Sequence, residues 1–252
     1  MTVAPFPQCE AEIVENALLG GRVRLRQPAK GYRAGMDAAL LAAAVAAGPG
    51  QRVIEAGCGV GAVLMQIAAR CPEAALTGLE RDPAMAALAR ENAVLNSADA
   101  AVVTGDVAAG FRALDLKPFD WAVSNPPFFD DPGALRAPSE GKRGAWMADD
   151  GLKAWTGFLL KAVREGGRIV IIHRADRLAD LLALLGEKAG SFTVRGVHPH
   201  ADEPAKRVLV QAVKTGKAPL RLLPPLVLHD RSGAKHTAEA EAILRGEAAL
   251  YD

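Results

Sequence analysis

Residues 53–62 read Val-Ile-Glu-Ala-Gly-Cys-Gly-Val-Gly-Ala, a short apolar strand that runs through a glycine-rich turn into a helix. Glycine allows tight turning and close approach of a ligand to the backbone. A helix that begins there offers unpaired N–H groups and positive potential. We therefore expect an anionic or carboxylate-bearing group to bind at this turn, with Gly57, Gly59 and Gly61 shaping it and Cys58 filling it.

Strands and helices alternate outward from this stretch. Strands are predicted at 52–56, 75–80, 100–104, 119–124, 168–173, 192–198 and 207–213, and helices at 59–70, 83–95, 149–164 and 175–188. Continuous apolar strands spaced by helices predict a parallel sheet covered on both faces. The connection 199–206 is too short for a helical crossover, so the last strand is expected to be antiparallel. The pattern predicts a doubly wound α/β fold with a mostly parallel seven-stranded sheet.

The chain is expected to divide into a core with an extension on each side. Residues 1–48 are an N-terminal extension with a period-two strand and an alanine-rich helix, residues 49–215 form the core, and residues 216–252 form a tail with a short helix. No internal repeat is visible.

Composition narrows the class of protein. The chain has 252 residues, half of them hydrophobic, and 30 basic against 29 acidic residues give a formal net charge of +1. Three scattered cysteines indicate no disulfide framework, so a reducing cytoplasm is the expected location. Neither a signal peptide nor a membrane span is expected, and no cysteine or histidine pair has metal-ligand spacing.

Two cofactors fit the glycine-rich turn. Gly57-x-Gly59-x-x-Ala62 satisfies a dinucleotide fingerprint, with Glu80 at about the expected distance. The alternative is S-adenosylmethionine (SAM), because a carboxylate at Glu55 would crowd a pyrophosphate but could meet an ammonium group. Glu80 could bind ribose hydroxyls in either case. Asp106 and Val107 follow the third strand, where Asp106 could accept from an adenine amine. Together these strand-end carboxylates favour SAM.

A second motif, Asn125-Pro126-Pro127-Phe128, ends the strand at 119–124. Two prolines can continue neither a ladder nor a helix, and they force extended geometry. The loop presents an amide side chain, a free carbonyl and an aromatic face together. Asn125 and the Pro126 carbonyl could accept the N–H bonds of a planar amine while Phe128 stacks on it, so these three are the predicted catalytic residues.

The segment from Glu55 to Gly61 followed by Asn125–Phe128 resembles the class I SAM-dependent methyltransferases that methylate exocyclic amines. Residues 31–41 and 235–245 resemble the bacterial tRNA1(Val) adenine-37 N6-methyltransferase group. This resemblance implies SAM as cofactor, an adenine N6 in tRNA as methyl acceptor, and Arg33 and Asp37 as cofactor or gate residues.

Other functions stay open at this point. A small-molecule O-methyltransferase would share the cofactor loop, and a release-factor glutamine methyltransferase uses a similar Asn-Pro-Pro loop. A non-catalytic SAM- or RNA-binding module is the alternative of a different class. Two segments, 21–36 and 205–221, carry five basic residues each and no acid, so they could meet as a phosphate-binding surface. The oligomeric state is left undetermined.

Overall fold

The computed structural model describes residues 12–30, 34–127, 148–231 and 233–251, and within them the chain forms eleven strands and six helices. The strands are β1 (Ile13–Leu18), β2 (Val23–Pro28), β3 (Arg52–Ala56), β4 (Ala75–Glu80), β5 (Ala100–Thr104), β6 (Phe119–Ser124), β7 (Val163–Arg174), β8 (Ala189–His198), β9 (Arg207–Lys214), β10 (Arg221–Leu222) and β11 (Leu226–Val227). The helices are α1 (Met36–Ala43), α2 (Ala62–Arg70), α3 (Pro83–Leu95), α4 (Ala148–Ala162), α5 (Leu178–Gly186) and α6 (Ala238–Arg245).

The long strands form one central sheet in the order β5-β4-β3-β6-β7-β9-β8. The first five of these run parallel, and β9 runs antiparallel to both β7 and β8. The predicted doubly wound, mostly parallel sheet with a reversed last strand is therefore confirmed. The two-residue strands β10 and β11 pair with β8 and bring the described sheet to nine strands. The sequence does not predict them, because two residues carry no periodic signal.

Both faces of the sheet are buried. On β3, Val53 belongs to a core cluster on one face and Ile54 to a cluster on the other, and neither is exposed to solvent. Residues from α1 and α2 complete the first cluster, and residues from α4 and α5 complete the second. This alternation between two buried faces is the arrangement expected of a sheet covered by helices on both sides.

The carboxyl ends of the parallel strands lie level with one another. Ala56, the last residue of β3, pairs with Ser124 at the end of β6, and Glu80 at the end of β4 pairs with Thr104 at the end of β5. In open α/β sheets this edge is where ligands bind. The register therefore brings the residues that follow β3, β4, β5 and β6 to one edge.

The extension and the tail both pack on this core. β1 and β2 form an antiparallel hairpin, the N-terminal hairpin, whose Val23 and Leu25 are buried in the first core cluster. α6 packs on α1; Thr237 caps its start, with its side chain accepting the Ala240 N–H, and Gly246 caps its end. The division of the chain at residues 48 and 215 stays a prediction. Among the described residues, no helix is long and apolar enough to cross a membrane.

Strands β7 and β8 both begin earlier than the sequence indicates, β7 by the larger margin. The predicted helix 149–164 ends at Ala162, and β7 begins at Val163 rather than at Arg168. Val163 pairs with Phe119, and the register then shifts before Trp121 pairs with Arg168. The residues between them include Gly166 at a φ of 73°. A bulge of this kind lets a strand continue through residues whose sequence predicts the end of a strand or helix.

Candidate active site

The glycine loop, residues 57–61, follows β3 and leads into α2. Its three glycines have φ of 71°, 55° and 82°, a region that glycine adopts without the steric cost paid by other residues. The backbone N–H groups of Gly57 and Cys58 both donate to the Leu79 carbonyl, at 2.8 and 3.0 Å. The loop is thereby fastened to the carboxyl end of β4.

Gly57 is also required because an indole ring lies against it. A Cβ built on Gly57 would lie 2.4 Å from Cη2 of Trp155, a residue of α4 that is 8% exposed. Trp155 lines the same cavity as the loop, but the sequence does not predict it. On α4 its spacing matches that of ordinary core residues. Cys58 is buried against Gly78, consistent with a small filler.

Glu80 supports the glycine loop from the end of β4. Its Oε2 accepts the Gly59 N–H at 2.8 Å and its Oε1 accepts the Asp82 N–H at 2.9 Å. The side chain is 8% exposed and lines the cavity, as does Glu55, which is 3% exposed. Carboxylate oxygens have more than one acceptor site, so Glu80 can hold the loop and still accept from a ligand hydroxyl.

Asp106 lies at the corresponding position after β5. Its Oδ1 accepts the Ala108 N–H at 2.8 Å, which caps a short 3₁₀ turn from Val107 to Ala109. Val107 is buried beneath it, and both residues line the cavity. The cap fixes the carboxylate toward the site while leaving its second oxygen for a ligand.

The Asn-Pro-Pro loop begins where β6 ends. The buried Ser124 hydroxyl donates to the Ala56 carbonyl at 2.9 Å, so the end of β6 is tied to the residue before the glycine loop. Asn125 and Pro127 are half-buried and line the cavity, and Pro126 is buried. The two predicted motifs therefore meet at one edge of the sheet.

A cavity of about 270 Å³ joins these parts. Its lining includes eight of the predicted site residues: Glu55, Gly57, Cys58, Gly59, Glu80, Asp106, Val107 and Asn125. Lining residues that the sequence does not assign to the cofactor site include Lys30, Asp82, Met85 and Trp155. For Asp82 the sequence did carry a signal, because an Asp directly before a Pro is typical of a helix start. In the structure its Oδ1 caps α3.

Three predicted residues in the described part of the chain do not line the cavity: Asp37, Gly61 and Pro126. Gly61 instead provides the left-handed turn before α2. Asp37 pairs with Arg207 of β9, at 3.0 Å between Oδ2 and Nε. Its predicted cofactor or gate role stays a prediction. Arg33 and Phe128 lie outside the described residues.

Basic residues of the two segments have local partners, and those of the second segment lie at both ends of β9. Arg22 donates to the carbonyls of Arg245 and Gly246, and Arg24 and Arg26 pair with Glu15. On β9, Arg207 lies opposite Arg174 at the carboxyl edge of β7, whereas Lys214 lies past the Val213–Arg168 pair at the other end. The expectation that the two segments meet as a phosphate-binding surface stays a prediction, and on β9 only the Arg207 end lies at the carboxyl edge of the parallel strands. A strand carries its first and last residues to opposite edges of the sheet.

Positive charge does gather at the carboxyl end of β7, the neighbour of β6. His173 is buried there, and its Nδ1 accepts the Arg174 N–H at 2.8 Å. Burial, followed by the charges of Arg177, Arg174 and Arg207, lowers the pKa of His173 to about 4. The imidazole is consequently neutral at pH 7, beside three arginines.

The charged residues that line the cavity distinguish between SAM and a dinucleotide as the cofactor. Four carboxylates line its described part (Glu55, Glu80, Asp82 and Asp106) against two cations, Lys30 and Arg81. A dinucleotide would bring two phosphates to this lining, whereas SAM brings an ammonium, a sulfonium and a single carboxylate. The donor set therefore fits SAM and disfavours the dinucleotide. Among the described residues, no group of three metal-ligating side chains lies close enough to hold a metal ion.

Residues 33–136 match the family described as the methyltransferase small domain. A tRNA1(Val) (adenine(37)-N6)-methyltransferase of Porphyromonas gingivalis is 30% identical over 169 residues, covering 64% of this chain and 66% of that protein. A release factor glutamine methyltransferase of Deinococcus radiodurans is 38% identical over 89 residues, covering 35% of this chain and 30% of that protein. The chain thus spans less than two thirds of the length of each of these relatives.

Among solved structures, one from Agrobacterium tumefaciens described as a predicted O-methyltransferase matches with a TM-score of 0.69 and 28% identity. The match covers 84% of this chain and 97% of that one. The fold is that of the class I methyltransferases, and the cavity and the family match agree with it. The family match covers residues 33–136, the part of the chain that runs from before α1 to beyond the end of β6. Family and fold together imply SAM as the cofactor.

Proposed function

We propose that this protein transfers a methyl group from SAM to an exocyclic amine, the N6 of an adenine in tRNA. The observation that carries the proposal is that Asn125 and Pro127 line the same cavity as the glycine loop, Glu80 and Asp106. An amide at the end of β6 then faces a site whose charges fit the methyl donor.

Asn125 and Pro126 are given the role of acceptors for the amine. Bound SAM supplies an electrophilic methyl group on a positively charged sulfur. An exocyclic amine is a weak nucleophile because its lone pair is delocalised into the ring. The Asn125 side-chain oxygen and the Pro126 carbonyl accept its two N–H bonds and so draw the nitrogen toward tetrahedral geometry. This is catalysis by orientation and electrostatics. Once the nitrogen is methylated, its proton leaves to water, since neither acceptor takes up a proton.

The Asn125 loop supports an amine over a hydroxyl as acceptor. A hydroxyl must lose its proton before or during methyl transfer, which requires a base. An amide oxygen and a backbone carbonyl are not bases at neutral pH, but they are good acceptors for N–H. The buried Ser124–Ala56 hydrogen bond holds the start of the loop against the cofactor side of the site.

The relatives support tRNA as the substrate, because the tRNA-methylating protein of P. gingivalis aligns over 64% of the chain. A second candidate is a glutamine side-chain amide in a protein, which presents the same planar NH₂ group. It is favoured by the 38% identity to the release-factor enzyme, although that match covers 35% of the chain. Both acceptors would bind at the same Asn-Pro-Pro loop, and the labelling experiment below distinguishes them.

Tritiated SAM, incubated with the full chain and with bulk tRNA or a total protein extract, separates the two candidates. We expect label in tRNA, released by nuclease digestion as N6-methyladenosine. Asn125→Ala should lose about 100-fold or more in rate, while S-adenosylhomocysteine binds within about twofold of wild type, since Asn125 is assigned to the amine. Asn125→Asp, which keeps the acceptor oxygen, should retain intermediate activity. Label in protein alone would favour the glutamine amide, and full turnover by Asn125→Ala would overturn the assignment.

A further inference from the structure

The N-terminal hairpin is held on α3 by two asparagine side chains. The Arg26 N–H donates to Oδ1 of Asn92, and Nδ2 of Asn92 donates to the Arg26 carbonyl, both at 2.8 Å. One turn later, Asn96 makes the same pair with Arg24, at 2.9 and 2.7 Å. The amides at i and i+4 of a helix thereby bind alternate residues of β2, as a neighbouring strand would.

Asn92 makes one further contact that Asn96 does not. Its Nδ2 also donates to the carbonyl of Val60 at 2.9 Å. Val60 lies in the glycine loop between Gly59 and Gly61 and lines the cavity. Asn92 itself is 0% exposed. One buried amide therefore joins β2 to the loop that faces the cofactor through three hydrogen bonds, all at least partly buried.

The strand that Asn92 holds leads directly into a wall of the cavity. Pro28, Lys30 and Ala34 follow from β2 and line it. Gln27, 2% exposed, reinforces this wall, because its Oε1 accepts the Ala34 N–H at 2.9 Å. The position of β2 consequently sets the position of the residues opposite the glycine loop.

We propose that Asn92 is a positioning residue for the cofactor, fixing the distance between the glycine loop and the wall formed by Pro28, Lys30 and Ala34. It touches neither cofactor nor substrate. The inference rests on SAM occupying the cavity, and it is independent of which amine is methylated. Asn96 is a matched control, since it makes the same bonds to β2 without reaching the loop.

The test compares Asn92→Ala and Asn96→Ala in the full chain by titration calorimetry with S-adenosylhomocysteine, at a temperature where each variant is fully folded. Both variants should lower the unfolding temperature. Asn92→Ala should also weaken binding about tenfold or more, as expected for losing a buried hydrogen bond that shapes the site. Asn96→Ala should bind within about twofold of wild type. Hydrogen exchange at residues 59–61 should accelerate in the first variant alone.

Equal loss of affinity in the two variants, or wild-type affinity in Asn92→Ala, would overturn the inference. If Asn92→Ala fails to fold, Asn92→Asp carries the same prediction. Aspartate keeps the shape and the acceptor for the Arg26 N–H but turns a second acceptor toward the carbonyls of both Arg26 and Val60. A wild-type chain that does not bind S-adenosylhomocysteine would instead refute SAM as the cofactor, so the two failures are distinguishable.

Discussion

Replacing Gly57 with alanine tests whether the indole of Trp155 fixes the glycine loop. The backbone φ of 71° costs an alanine about 1–2 kcal/mol. The new Cβ would also lie 2.4 Å from Cη2 and 2.9 Å from Cζ3 of Trp155, both inside contact distance. Overpacking of this kind costs about 1–3 kcal/mol. The free energy of unfolding should therefore fall by about 2–5 kcal/mol in total.

Gly61→Ala is the matched control. Its φ of 82° carries the same backbone cost, but the nearest atom to a new Cβ is Cβ of Ala89 at 3.4 Å, an ordinary contact. We expect Gly61→Ala to lose only about 1–2 kcal/mol. Urea unfolding of both variants gives the comparison, and S-adenosylhomocysteine titration should show weaker binding by Gly57→Ala.

A double-mutant cycle isolates the clash from the backbone cost. Trp155→Leu alone should destabilise the protein by opening a cavity. Combined with Gly57→Ala, it should relieve part of the overlap, so the double variant loses at least about 1 kcal/mol less than the sum of the single variants. Equal costs for Gly57→Ala and Gly61→Ala, or strict additivity in the cycle, would refute the role assigned to the indole.

Two further predictions concern buried titratable groups. Glu80→Gln should weaken S-adenosylhomocysteine binding and lower unfolding stability by about 1–3 kcal/mol, since its NH₂ group would face the N–H of Gly59 or Asp82. Exposed Glu187→Gln should change neither, and a wild-type binding curve for Glu80→Gln would contradict the assignment. Because the folded pKa of His173 lies below its unfolded value, the unfolded chain binds the extra proton between pH 6.5 and 4. Unfolding stability should thus be about 2 kcal/mol lower at pH 5 than at pH 7.5. Chemical denaturation across this range should show a weaker dependence of the unfolding free energy on pH in His173→Asn than in wild type. An unchanged pH dependence would count against the buried neutral imidazole.

The sheet could be predicted because its evidence is local. A buried parallel strand is a continuous apolar run, and β4, β5 and β6 begin and end where the sequence places them. The glycine loop and the Asn125 loop are likewise short motifs whose residues are adjacent in the chain. Because parallel strands end at one edge of the sheet, these local motifs predict that most of the cofactor residues lie close together.

The supporting contacts could not be predicted, because they join residues far apart in sequence. Trp155 and Asn92 are ordinary helix residues until the fold places them against Gly57 and Val60. Two clusters of basic residues likewise look alike in sequence. Only the strand register shows that Arg207 and Lys214 lie at opposite edges.

The contacts of Arg22 also bear on the order in which the chain can complete its fold during synthesis. The side chain of Arg22, at the turn of the N-terminal hairpin, donates to the carbonyls of Arg245 and Gly246, which leave the ribosome more than 220 residues later. The Leu250 N–H, later still, donates to the Ala43 carbonyl at the end of α1. Since domains generally fold as they emerge, the parallel core can form while the hairpin still lacks these partners. The hairpin is made before the parallel core, yet it reaches its final hydrogen bonding only after α6 has been made.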